Sequence, residues 1–194
     1  MASTDAQALV TAAIRECIAA QERLLDPAYV VRIVEAGELV ASSLAKGGKL
    51  LLFGNGGSAS DATHVAAEFV GRFQRDRRAL PAVSLCTNDS AITAIANDYG
   101  FEQVFVRQLE ALGSSGDVAI AISTSGRSLN VLAAVQAARR LGIGTIALTG
   151  GDGGTLGSEV DICVCVPARS TARVQEGHIL VAHVLCELVE RKLT

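Results

Sequence analysis

The sequence predicts a three-layer α/β sandwich: a five-stranded parallel sheet covered by helices on both faces, with two further helices at the N-terminus. Three observations point there. Five short runs, at 51–53, 82–85, 118–122, 145–148 and 162–166, are apolar at successive positions, as strands buried on both faces are. Helical patterns near 59–73, 90–112, 128–141 and 171–192 separate them, which is the rhythm of parallel strands joined by helical crossovers. Nineteen glycines against three prolines suit a chain with many tight turns.

The elements follow in order. Residues 4–25 read as a helix because Leu9, Ala13, Cys17 and Ala20 recur at helical spacing. Residues 27–46 read as a second, with Val30, Ile33, Val34, Val40 and Leu44 in its stripe. Asp26-Pro27 separates the two, since proline suits a helix's first turn, and Gly47-Gly48 ends the second. This pair is expected to form an extra layer or a dimerising bundle. With no repeat and no low-complexity linker, the chain is expected to be one domain, 1–46 a helical pair and 47–194 a parallel α/β core.

Composition narrows the class. The chain has 194 residues, 49% of them hydrophobic and 19% charged, which excludes a disordered chain. No apolar stretch approaches the roughly 20 residues that a spanning helix needs. A net charge of -3, from 17 bases and 20 acids, gives no reason to expect a nucleic-acid or membrane partner. Cys17, Cys86, Cys163, Cys165 and Cys186 are odd in number, lack C-x-x-C spacing and sit in apolar contexts. They read as buried free thiols of a reducing compartment. The first residues, Met1-Ala-Ser-Thr-Asp-Ala, show no basic stretch followed by an apolar core, so a cytoplasmic location is expected.

In a parallel sheet, ligands bind beyond the carboxyl ends of the strands. Gly54-Asn55-Gly56-Gly57-Ser58-Ala59-Ser60 lies there, between the first core strand and a helix. Glycines admit a ligand close to the backbone, and the helix N-terminus offers free N–H groups and partial positive charge. No Gly-Lys-Ser/Thr follows, so this is not a Walker loop. A loose G-x-G-x-x-A match leaves dinucleotide binding open, but no ribose-binding acid stands at the end of the second strand. The structural alternative is a tight turn capped by Ser58 or Ser60. Ser123-Thr124-Ser125-Gly126-Arg127-Ser128 follows the third core strand, and its four hydroxyls and N–H groups can wrap phosphate oxygens without a lysine. Simple helix capping is the alternative there.

Two helices carry the remaining candidates. His64 and Glu68 are four residues apart and share one face, a spacing that suits two ligands to one cation, a proton-transfer pair, or a plain surface pair. On the last helix Gln175 and His183 lie two turns apart and about 80° around the axis, so both can reach one groove. His178 reads as a hydrogen-bonded core histidine.

Several segments together resemble the sugar isomerase (SIS) family, in its phosphoheptose isomerase branch. They are Gly54-Asn55-Gly56-Gly57-Ser58, Asp61-Ala62-x-His64, Glu68-Phe69-x-Gly71-Arg72, Asn97-Asp98-Tyr99-Gly100, Ser123-Thr124-Ser125-Gly126-x-Ser128 and Arg173-Val174-Gln175-Glu176-x-His178. Their order matches the family over nearly the whole chain. The resemblance implies the SIS fold and a cytoplasmic homotetramer with sites at subunit contacts. It implies interconversion of sedoheptulose 7-phosphate and D-glycero-D-manno-heptose 7-phosphate, the first step toward nucleotide-activated heptose for lipopolysaccharide or capsule. Substrate would be held at Asn55, Gly56, Gly57, Glu68, Asn97, Asp98, Ser123, Thr124, Ser125, Ser128 and Gln175. One Zn2+ per subunit would be held by His64, Glu68, Gln175 and His183, and Glu68 and His183 would form the acid–base pair.

Local chemistry agrees with that assignment. Moving a carbonyl between neighbouring carbons needs a base for the α proton and a group that stabilises the enediolate oxygen. A carboxylate and an imidazole flanking an open-chain sugar supply both. Some family members carry Asp where this chain has Ala172, which removes a candidate acid near Gln175 and favours metal assistance. Thr63 and Ala59 leave the chemistry untouched. The runner-up is a non-catalytic SIS tetramer that binds a replication initiator or senses sugar phosphates; retention of His64, Glu68, Gln175 and His183 favours the enzyme.

Overall fold

The structure, a computed structural model, describes residues 4–194, so residues 1–3 of the expected N-terminal pair lie outside the described residues. Helices α1 (Thr4–Arg23) and α2 (Pro27–Ala45) come first. Then follow β1 (Leu50–Gly54), α3 (Gly57–Val70), β2 (Ala82–Ser84), α4 (Asp89–Tyr99), a 3-10 turn (Phe101–Gln103) and α5 (Val106–Leu112). The rest is β3 (Val118–Ser123), α6 (Leu129–Arg140), β4 (Gly144–Gly150), α7 (Leu156–Glu159), β5 (Ile162–Val166) and α8 (Thr171–Leu193). All five predicted strands are present.

Every strand pair is parallel, in the order β2-β1-β3-β4-β5. Strand alternation divides the core in two. Leu50, Leu52, Val118, Ile120, Ile122, Ile146, Leu148 and Val164 face α2, α3 and α8. Leu51, Phe53, Ala119, Ala121 and Ala147 face α5, α6 and the 3-10 turn. The chain leaves β1 in one direction toward β2 and returns on the other side as β3, so the topological switch falls between β1 and β3. The loops after these two strands therefore flank the crevice where such sheets bind ligands.

The N-terminal helices do not form a separate layer as a pair. α2 is built into the core, burying Ile33, Ala36, Val40, Ala41 and Leu44 against the layer that holds α3 and α8. α1 buries only Ala20 and leaves Leu9, Val10, Ile14 and Ile18 at least half exposed. Its stripe is real, but within one chain it has little to cover it. The single helix predicted over 90–112 is three pieces. Gly100 takes a positive φ of 89°, which ends α4, and the chain re-enters helix only at Val106. The four-residue α7 has too short a pattern to read from sequence.

The cysteines are free, as expected, but only Cys186 is buried; Cys17, Cys86, Cys163 and Cys165 are partly exposed. Burial pushes the Cys186 thiol up to about 12, so it stays protonated and inert. No helix among the described residues is long and apolar enough to cross a membrane.

Candidate active site

The loop after β1 turns into α3 with Gly56 at the N-cap, at φ 56°, and neither Ser58 nor Ser60 caps the helix by its side chain. Ser58 is instead buried beneath the loop. Gly57 lies close against Gln175, whose amide reaches this loop from α8, so that a Cβ there would displace the end of that side chain. Asn55 is tied across the switch point. Its Nδ2 donates to Asn130 Oδ1 at 2.8 Å, and Asn130 Nδ2 donates back to Asn55 Oδ1 at 2.9 Å. Asn130, buried at the start of α6, was not singled out in the sequence; its pairing with Asn55 joins the two candidate loops.

The loop after β3 has two sides. Ser123 is buried and its Oγ lies 3.2 Å from that of Ser128, the N-cap residue of α6. Thr124 and Ser125 line a cleft of about 360 Å³ with Arg127, Gly150, Asp152 and Arg169. Arg127 crosses that cleft's rim to Asp152 at 2.8 Å. Asn97 and Asp98 sit exposed on α4, where the Asn97 amide donates to Asp98 at 2.8 Å. No hydrogen bond among the described residues joins them to the loops after β1 or β3.

The acid and imidazole groups converge. His64 Nε2 lies 3.2 Å from Glu68 Oε1 on the same face of α3 and 3.1 Å from His183 Nε2 on α8. One ligand atom from each of His64, Glu68 and His183 falls within 4.8 Å of the others. Residues 119 apart in sequence thus meet because α3 and α8 pack side by side on the same face of the sheet. The carboxylate and the His183 ring nitrogen are close enough for one atom to sit within about 3 Å of both. The donor set, two imidazole nitrogens and a carboxylate oxygen, is chemistry that suits a divalent cation such as zinc.

Three further features were not read from the sequence. Asp61, one turn before His64, has a buried Oδ2 without a hydrogen-bond partner, and burial raises its pKa while His64 acts against the rise. Phe73 stacks on the His183 ring with centroids 5.2 Å apart. Arg77 and Glu190 form an ion pair at 2.9 Å with both side chains nearly solvent-free. They belong to separate, otherwise unremarkable charged stretches, so no local pattern marks them. His178 is the core histidine the sequence predicts: its Nε2 lies 2.9 Å from the Thr149 carbonyl, and burial lowers its pKa.

The model of the SIS domain family matches residues 15–150. A phosphoheptose isomerase of Roseiflexus sp. (strain RS-1) is 60% identical over 161 residues, covering 83% of this chain and 82% of its own. The chain belongs to the SIS family, among the phosphoheptose isomerases. Membership makes it an enzyme of the aldose–ketose isomerase kind. Solved structures agree. The phosphoheptose isomerase of Neisseria gonorrhoeae superposes with TM-score 0.90 at 45% identity, over 95% of this chain and 98% of that one. That of Francisella tularensis gives 0.91 at 37% identity, over 98% and 100%.

Proposed function

We propose that this protein interconverts sedoheptulose 7-phosphate and D-glycero-D-manno-heptose 7-phosphate in the cytoplasm, opening a route to nucleotide-activated heptose for lipopolysaccharide or capsule. The observation that carries the proposal is the meeting of Glu68 and His183 beside His64, where α3 and α8 pack together. High identity to proteins named for this reaction supports the substrate class.

The sugar phosphate enters the crevice between the loops after β1 and β3. Hydroxyls of Ser123, Thr124, Ser125 and Ser128 bind the phosphate oxygens, and the N–H groups at Gly56 and Gly57 supply a second set of donors. Asn55, Asn97, Asp98 and Gln175 contact the sugar. The carboxylate of Glu68 takes the proton α to the carbonyl and returns it to the neighbouring carbon. His183 donates to, and takes protons from, the oxygens as the ring opens and the carbonyl migrates.

His64, Glu68, Gln175 and His183 would hold one Zn2+ per subunit. When bound, the ion supplies Lewis acidity toward the sugar oxygens. A coordinated Glu68 or His183 cannot move a proton at the same atom, so the two roles are alternative states of the same side chains. The exposed stripe of α1 and the exposed Val30, Val31 and Val34 of α2 support a homotetramer in which subunits cover one another's apolar faces.

Purified protein incubated with sedoheptulose 7-phosphate should yield the aldoheptose phosphate, with about one zinc per chain by elemental analysis and a tetrameric mass by light scattering. A zinc-free protein that binds the sugar phosphate, converts none of it and captures a replication initiator would establish the non-catalytic reading instead.

A further inference from the structure

Between α3 and β2 the chain runs through residues 71–81 without regular structure, yet it is held tightly. The Glu190 carboxylate, 1% exposed on the last turns of α8, accepts from Phe73 N at 2.8 Å, Gln74 N at 2.9 Å and Arg75 N at 3.1 Å. Arg77 Nε is its fourth donor, at 2.9 Å. A buried carboxylate with four donors is close to saturated, so it has no free site for substrate and acts as an anchor. Arg77 extends the anchor to α3, donating to the Phe69 and Glu68 carbonyls at 2.9 Å each.

Two functional consequences follow from where this clamp sits. Arg77 fixes the end of α3 at Glu68 itself, and Glu190 is on the same helix as His183, two turns further on. The clamp therefore sets how the two helices that bear the acid and the imidazole meet. It also fixes Phe73, whose ring lies over the His183 ring at an interplanar angle of 29°. The imidazole torsion is intrinsically broad, so a ring laid against one of its faces selects among orientations that backbone packing leaves open.

We infer that Phe73, held by the Glu190–Arg77 clamp, is a positioning residue that orients the His183 imidazole for proton transfer. The inference rests on the role given to His183 above. The test compares Phe73→Leu, Phe73→Tyr and His183→Gln in the full-length protein, by steady-state turnover of sedoheptulose 7-phosphate and by thermal melting. Phe73→Leu should lower kcat by about tenfold or more while KM stays within about twofold, because orientation and not binding is lost. Phe73→Tyr keeps the aromatic face and should restore kcat to within about twofold of wild type. Melting temperatures should not track kcat across these two variants. Equal losses in both variants, or a wild-type kcat in Phe73→Leu beside an inactive His183→Gln, would overturn the positioning role alone. A fully active His183→Gln would overturn the assignment of His183 and this inference with it.

Discussion

The amino edge of the sheet and the candidate site use similar residues in opposite ways. At the amino edge, Asp117 is 3% exposed and accepts from Lys49 N, Lys49 Nζ and Ser114 N. Asp161 accepts from both the N–H and the hydroxyl of Thr145, and Ser43 donates to the Gly116 carbonyl. Both of these carboxylates are closed off by their neighbours. In the candidate site, Glu68 has only the imidazoles of His64 and His183 beside its carboxylate, Ser123 and Ser128 have chiefly each other, and Asp61 keeps an orphaned oxygen. Groups left short of partners are the ones that can take a ligand, whereas saturated ones add stability and specificity to the fold.

Substitutions should separate the two regions. The largest effect is expected from Glu68→Gln, which keeps the shape and removes the base: kcat should fall by about a thousandfold, with melting little changed. The opposite pattern is expected at Asp117→Ala. Denaturant titration should show a stability loss of about 3 kcal/mol, because Lys49 and two backbone N–H groups lose their acceptor, while the folded fraction keeps wild-type kcat. A joint substitution, Ser123→Ala with Ser128→Ala, should raise KM about tenfold more than it lowers kcat. If the Asp117 variant lost activity at wild-type stability, the division between these two regions would be wrong.

A smaller effect is expected from pH. Burial alone would raise the Glu190 pKa, but the N–H groups of Gln74, Phe73 and Arg75 and the charge of Arg77 hold it below the ordinary 4.5. The native state thus binds this proton more weakly than the unfolded chain. The clamp's stabilisation is present above pH 4.5 and is lost as pH falls through the lower folded value. His178, lowered from 6.5 by burial, begins to cost stability earlier, as pH drops below 6.5. Melting scans should show a shallow decline below pH 6.5 and a steeper one below 4.5, and Glu190→Gln should flatten the second.

Much of this was legible before any coordinates. The central strands β1, β3 and β4, buried on both faces, are near-continuous apolar runs, and the partly exposed edge strands β2 and β5 stay apolar enough to stand out as well. His64 and Glu68 were legible because an i,i+4 pair is a local fact. What stayed hidden depended on long-range packing. Glu190 and Arg77 are 113 residues apart, and nothing near either marks a partner. The break at Gly100 was available as a helix-ending glycine, but apolar residues on both sides masked it. The burial of α2 and exposure of α1 could not be told apart, because both stripes have helical spacing and only the packed core decides which one it needs.

The central claim is that the carboxylate on α3 moves the substrate proton. Turnover of sedoheptulose 7-phosphate by Glu68→Gln, measured beside a melting scan of the same sample, tests it most directly. The account predicts a folded protein with kcat reduced by about a thousandfold. A folded variant working at the wild-type rate would contradict it.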